Sequence, residues 1–478
     1  MQQDEMAGSG MKQVATGAHS IKRRLLIAGS TGLMLAFGSH GASAMTLEEA
    51  IKLSVDAHPT ILIEKSKKEQ AEYEIDEANA RYLPSVDTRL ATGFDAFNNN
   101  TTRFRRTRGI GGESSVRTWH NEARVDVTQM LFDGFETQNL VDAARWRSEV
   151  TRQEIRDAEE ELALRSTEAY LEVLRAREIV DLAMENVQAH IDTLEDVRLR
   201  AETGGGNQAD VLQAESRLAN AMDRLLEQKG TLRDAESDFQ EAVGVMPDEL
   251  MLPDAPGDAI PVSLDEAITR ALAGNPSGRA AELAIDARMA DAKAAEAPFM
   301  PRFDLELSAQ QDHNTNGVRS SGNSLQALTV MRFNLYRGGT DTARLRRARE
   351  FVSETMLSSR ETNRLIEEQI RVDWNELETA QSRLPQLESR VLAASQVVSA
   401  YRQQFELGQR TLLDVLDVEN ELFQSRVRLV EGEYEVLFAH FLILESMGQL
   451  LDAYGIESQS YAEAVPPMED PNLLLLGD

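Results

Sequence analysis

The stretch that decides the fold is Glu122-Ala-Arg-Val-Asp-Val-Thr-Gln-Met-Leu-Phe-Asp-Gly-Phe-Glu-Thr137. Ala123, Val125, Val127 and Leu131 alternate with Glu122, Arg124, Asp126 and Thr128. This period of two predicts a strand with one apolar and one polar face. Past Gly134 the period changes. No proline or glycine occurs from Thr137 to Glu202, and Ile155, Ala158, Leu162, Ala169, Val173, Ala176, Val180, Ala183, Val187, Leu194, Val197 and Ala201 recur at three-four spacing. That pattern predicts coiled-coil packing along a helix about 100 Å long at 1.5 Å per residue.

The same succession is met again further on. Thr46-Leu-Glu-Glu-Ala-Ile matches Ser263-Leu-Asp-Glu-Ala-Ile, His58-Pro59 matches Asn275-Pro276 and Leu83-Pro84 matches Met300-Pro301, all at an offset of 217. Leu131-Phe-Asp-Gly134 then matches Leu335-Tyr-Arg-Gly338, and Gly204 with Asp210-Val-Leu212 matches Gly408 with Asp414-Val-Leu416, at an offset of 204. The chain reads as a tandem duplication: a first helix–hairpin–helix repeat over 45–246, a Pro-rich linker over 247–262 and a second repeat over 263–455. Thr46 with Glu49, and Ser263 with Glu266, are predicted capping boxes. Leu377, Ala380, Leu384, Leu387, Val391, Ala394, Val398, Tyr401 and Phe405 carry the coiled-coil pattern in the second repeat. Pro385 falls inside it, where a kink is expected. Residues 456–478 contain five acidic residues and no basic one, and are expected to be a disordered acidic tail.

At the other end, Lys22-Arg23-Arg24 precedes an apolar run from Leu25 to Phe37 and then Ala42-Ser43-Ala44. These features predict a signal peptide over 1–44; the run is shorter than the ~20 residues a membrane-spanning helix needs. Cleavage removes four basic residues (Lys12, Lys22, Arg23, Arg24) and two acidic ones (Asp4, Glu5), so the net charge moves from −30 to −30 − (4 − 2) = −32. An acidic surface argues against nucleic-acid binding, which needs a net basic face. The absence of cysteine excludes disulfide scaffolds and thiolate chemistry. No phosphate loop, nucleophile elbow or His-Glu-x-x-His occurs, and His58, His120, His190, His313 and His440 are scattered. No cofactor or metal is expected, and the chain is not expected to be an enzyme.

Three further alternating runs accompany the first. Val86, Thr88, Leu90, Thr92 and Phe94 oppose Asp87, Arg89 and Asp95; Phe303, Leu305, Leu307 and Ala309 oppose Asp304, Glu306, Ser308 and Gln310; Leu325, Ala327, Thr329, Met331 and Phe333 oppose Gln326, Arg332 and Asn334. Aromatics gather at both ends: Tyr82, Phe132, Phe299 and Tyr336 at one, Phe94, Phe97, Phe104 and Trp119 at the other. Two ordinary half-buried hairpins would show the same alternation, but two aromatic belts are the mark of a lipid-facing barrel. Four strands cannot close one, since the smallest have eight, and lipid does not tolerate open edges. Several protomers would have to share one barrel.

With the doubled helix–hairpin–helix order, the Leu-Phe-Asp-Gly and Leu-Tyr-Arg-Gly turns and Gly408-Gln-Arg-Thr-Leu-Leu-Asp-Val-Leu-Asp417, the chain resembles TolC-type outer membrane channels from about Leu47 to Leu450. The resemblance implies a mixed α and β fold: a homotrimer with one twelve-stranded transmembrane barrel in outer membrane lipid, four strands from each protomer, continued by a periplasmic helical tunnel. It also implies a periplasmic adaptor (membrane fusion) protein and an inner-membrane ABC transporter or other efflux pump as partners. Gly204-Gly-Gly-Asn-Gln-Ala-Asp-Val-Leu-Gln-Ala-Glu215 is similar to the type I protein-secretion branch. The expected function is a type I secretion exit duct. A multidrug efflux channel is the alternative within the fold, and an exported coiled-coil spacer the alternative outside it.

Asp414 and Asp417 lie on one helix face; by resemblance they match the aspartates of the family's periplasmic constriction. Arg410 and Asp210 match a link that holds the entrance shut. Phe405 falls where some members have a tyrosine that joins this link, and phenylalanine has no hydroxyl to donate. Arg103, Arg105, Arg106 and Arg108, with Gly109, Gly111 and Gly112, form an expected extracellular loop.

Overall fold

The computed structural model describes residues 44–98, 116–257, 259–314 and 321–461. The expected signal peptide, the Arg103–Arg108 loop, Phe104 and most of the tail lie outside them.

The order helix, helix, strand, strand, long helix, helix occurs twice. The first passage is α1 (Leu47–Ala57), α2 (Pro59–Ala80), β1 (Ser85–Phe97), β2 (Val116–Phe132), α3 (Glu136–Glu202) and α4 (Gln208–Val243). The second is α5 (Leu264–Gly274), α6 (Pro276–Ala294), β3 (Arg302–His313), β4 (Ser321–Arg332), α7 (Thr340–Glu406) and α8 (Leu412–Ser446), followed by a single turn, α9 (Leu450–Ala453). Helices α3 and α7 each have 67 residues, about 100 Å.

Local chemistry sets these boundaries. Thr46 and Glu49 close a full capping box on α1. Ser263 caps α5, but the Glu266 carboxylate accepts from Arg270 Nη2 at 2.5 Å instead of turning back, so the second box is half closed. His58 and Asn275 cap α2 and α6, each ahead of a proline at the first helical position. Pro385 stays within α7, which runs unbroken from Thr340 to Glu406. Opposite it, a Cβ on Gly432 of α8 would lie 2.5 Å from Leu387 Cδ1, so α8 is thinned where α7 carries its proline.

The strands form one antiparallel sheet in the order β1-β2-β3-β4. Register places Val86 beside Val127 and Val127 beside Leu307, and Asp87 beside Asp126, so the apolar and the charged residues occupy opposite faces. An irregularity between Met130 and Phe132 skips Leu131 and brings Phe132 opposite Phe303, their rings 6.5 Å apart. No helix covers the apolar face among the described residues. Val86, Leu90, Phe94, Trp119 and Leu325 are 59–84% exposed. Among the described residues, both outer edges, on β1 and β4, lack a partner strand.

The main core lies midway along the long helices. Leu47 and Ile51 of α1, Tyr170 of α3, Phe239 of α4, Ile370 of α7 and Phe441, Ile443 and Leu444 of α8 are buried there together. The Tyr170 hydroxyl donates to the Met45 or Met251 carbonyl (2.7 and 2.6 Å) and accepts from Met251 N at 2.9 Å, tying the start of the repeat and the linker to α3. Residues 456–461 are docked on this core: Glu159 of α3 accepts from the Ser458 hydroxyl and from Gln459 N. The expected tail is thus anchored at its beginning.

Candidate functional site

At the end of the helices away from the sheet, each hairpin turns. After α3, Gly204 adopts φ +83°, and the N–H groups of Gly205 and Gly206 donate to Arg200 O at 2.9 and 3.1 Å. Asn207 caps α4 through Asp210 N at 2.9 Å. After α7, Gly408 adopts φ +71° and Thr411 caps α8. Leu194 and Val197 of α3, Val211 and Ala214 of α4 and Leu412 and Leu416 of α8 bury one another, with Phe405 packed alongside. The two tips are therefore held together within one protomer.

Asp414 is the third residue of α8 and closes its capping box. Its Oδ2 accepts from Thr411 Oγ1 at 2.8 Å and Thr411 N at 3.1 Å. Those hydrogen bonds hold its carboxyl below the usual range, with Arg410 adding to the effect. Asp417 lies one turn on and pairs across the hairpins with Arg217 of α4, whose Nη2 donates to Oδ1 at 2.7 Å. Arg224, one heptad further along α4, donates to Asn420 of α8.

Asp210 and Arg410 form no ion pair among the described residues. Arg410 folds back on its own hairpin: Nε donates to Gln404 Oε1 at 3.0 Å and the guanidinium carbon lies 4.1 Å from the Tyr401 ring centre. Phe405 makes no hydrogen bond through its ring, but the Arg200 guanidinium of α3 lies 4.5 Å from its ring centre. A cation–π contact thus joins the hairpins where a hydroxyl is missing.

Above the tips, Glu419 of α8 is buried and accepts from Arg402 of α7 at 2.8 Å. Burial raises its carboxyl and Arg402 opposes this. His190 of α3 is buried nearby, and burial, then Arg217, Arg224 and Arg402, lower its ring below the ordinary value, which keeps it neutral. Arg200, Arg217 and Tyr401 were absent from the expected site. The spacing of Arg217 and Arg224, one heptad apart, was a readable signal; the positions of Arg200 and Tyr401 over rings needed the packing. No group of three or more His, Asp or Glu suited to a metal occurs among the described residues. The arrangement holds paired charges and cation–π contacts at the hairpin tips.

The sequence profile described as outer membrane efflux protein matches residues 51–245 and 267–449. The chain is 28% identical over 339 residues to outer membrane efflux protein BepC of Brucella suis, covering 70% of this chain and 74% of that one. It is 24% identical over 376 residues to the proteases secretion protein PrtF of Dickeya chrysanthemi, covering 73% and 79%. The CmeC outer membrane channel of Campylobacter jejuni superposes with a TM-score of 0.71 at 12% identity, covering 95% of this chain and 99% of that one. The exposed apolar sheet is therefore barrel wall and the paired helices are tunnel wall. The chain belongs to the outer membrane efflux protein family, as a passive outer membrane channel with its helical tunnel in the periplasm and no enzymatic activity.

Proposed function

We propose that the chain is the outer membrane exit duct of a type I secretion system, conducting an exported protein received from an inner-membrane ABC transporter and a periplasmic adaptor. Channels of this family work in general with an adaptor and an inner-membrane pump. The observation that carries the duct reading is the four-stranded sheet, bare on its apolar face and unpaired at both edges. Unsatisfied edges are excluded from lipid, so β1 of one copy pairs with β4 of the next, and three copies complete twelve strands. Apolar residues on the flank of α7, among them Leu357, Leu365 and Leu392, are exposed in the protomer and pack against a neighbouring copy in this reading. Outer membrane lipid then covers the apolar face.

The entrance is formed by Asp414 and Asp417 from each copy. Arg410 and Asp210, which do not pair within one protomer, link neighbouring copies and keep the entrance closed at rest, with Phe405 supporting the closed packing. The PrtF relative, a secretion protein by its printed name, favours protein cargo. BepC, named an efflux protein, favours small molecules. Reconstitution decides between them. Co-expressed with a type I transporter and adaptor in a host lacking its own duct, the chain is expected to release a repeat-rich cargo into the medium. Restored drug resistance with cargo left inside the cell would establish the efflux alternative.

A further inference from the structure

We propose that Arg217 sets the cation selectivity of the entrance by neutralising Asp417, so that the two aspartates of the expected constriction are not equivalent. This rests on reading the hairpin tips as the entrance of a duct. Asp417 keeps 57% of its side-chain surface, yet Arg217 Nη2 sits 2.7 Å from its Oδ1. Asp414 accepts only from the neutral Thr411 backbone N–H and hydroxyl, and no cation lies within ion-pair distance of it among the described residues. Two more ion pairs lie near the tips, Arg198 with Glu215 and Arg402 with Glu419, while Asp210 and Arg410 stand outside any ion pair among the described residues.

Arg217 is placed for this by α4 itself. Ala214, Arg217, Ala221 and Arg224 recur at three-four spacing, the two alanines are buried, and the two arginines reach α8 at Asp417 and Asn420. The small side chains let α4 approach, and the arginines fix the register of the seam between hairpins. Arg224 crosses the same seam but meets a neutral amide, so severing that contact at Asn420 provides an internal control.

The test uses the full mature protein in planar lipid bilayers, with La3+ added on the tunnel side as the blocking probe. Arg217→Ala frees one carboxylate per protomer. It is expected to lower the half-blocking La3+ concentration roughly threefold or more, the scale of an exposed ion pair, and to move the reversal potential in a KCl gradient towards cation selectivity. Asn420→Ala cuts the Arg224 contact across the same seam with no change of charge and is expected to leave both readings at the parent's values. Adding Asp417→Asn to Arg217→Ala is expected to bring both back to the parent's values. Parental block in Arg217→Ala, an equal change in Asn420→Ala, or a change that persists in the double variant each overturns the proposal. A parent that conducts nothing overturns the duct reading and the proposal with it.

Discussion

Glu159 and Glu160, adjacent and buried on α3, hold two parts of the same C-terminal segment. Glu159 takes Ser458 and Gln459, while Glu160 Oε2 accepts from Leu450 N at 2.9 Å and Leu451 N at 3.4 Å at the start of α9. Burial pushes the Glu160 carboxyl from its ordinary 4.5 up to about 8, although Arg156 draws it the other way, and Oε1 is left without a partner. Glu445 is pushed up to about 7 by burial and by Asp157, Asp373 and Glu161. Both groups are protonated in the folded chain at pH values where the unfolded chain has released its proton. Their contribution is complete below the unfolded pKa, falls by up to ~1.4 kcal/mol per pH unit for each group, and is lost once pH passes the folded value. The denaturation midpoint in detergent should therefore decline from about pH 5 to about pH 8 and level off above. Glu160→Gln keeps an acceptor for the α9 N–H groups and should flatten that decline; an identical slope would place the titration elsewhere. Arg410 and Asp210 give a second expectation at this scale. An exposed pair is worth about 0–1 kcal/mol, so three copies of the link proposed between neighbouring protomers would form a lock that a docking partner can reverse. Arg410→Ser and Asp210→Ala should each raise single-channel conductance, and the double variant should add little. Parental conductance in both single variants would leave the packing of Phe405 and Arg200 as the closing contact.

The strand-to-helix junction shows what an element demands of one residue. Gly134 has φ +72°, and a Cβ there would lie 2.9 Å from Ala297 O and from Met300 Cβ; Gly338, its counterpart before α7, has φ +63° with nothing within 4 Å. Alanine at Gly338 should cost only the left-handed backbone strain, about 1–3 kcal/mol. Alanine at Gly134 should cost visibly more, because the neighbour it meets is backbone. Denaturant titration of the two variants checks the order, and equal losses would show that the β2–α3 junction relaxes freely. The repeated turn motif made both junctions legible in the sequence, since Leu131-Phe-Asp-Gly134 and Leu335-Tyr-Arg-Gly338 stand between a period of two and a period near 3.6. The difference between them was not legible, because Ala297 and Met300 approach Gly134 through space. The same reason hid the irregularity at Leu131, which shows only against β3; the diversion of Glu266 to Arg270 is an i,i+4 pair on one helix and was open to reading from the sequence. The candidate site divides similarly. Asp414 and Asp417 were readable as a face, whereas the Arg217 partner of Asp417 depended on which helix lies beside α8.

For the whole molecule the first expectation is stoichiometry. Mass measurement of the mature chain in detergent should return a trimer, and a stable monomer would remove the shared barrel. The second is block at the entrance. Carboxylates gathered in a narrow ring concentrate cations, so multivalent cations should block current from the tunnel side, and Asp414→Asn with Asp417→Asn should relieve it. Unchanged block in that double variant would move the constriction away from the tips. The bare sheet has one more consequence, which concerns the journey and not the destination. Until the proposed trimer forms, Val86, Leu90, Phe94 and Leu325 face water beside two strand edges that are unpaired among the described residues, the arrangement most prone to pair with any passing strand. A chain that waits long in water before assembling is therefore expected to aggregate through this sheet, and depleting a cell of periplasmic holding chaperones is expected to lower the yield of finished ducts more than that of proteins without a bare sheet.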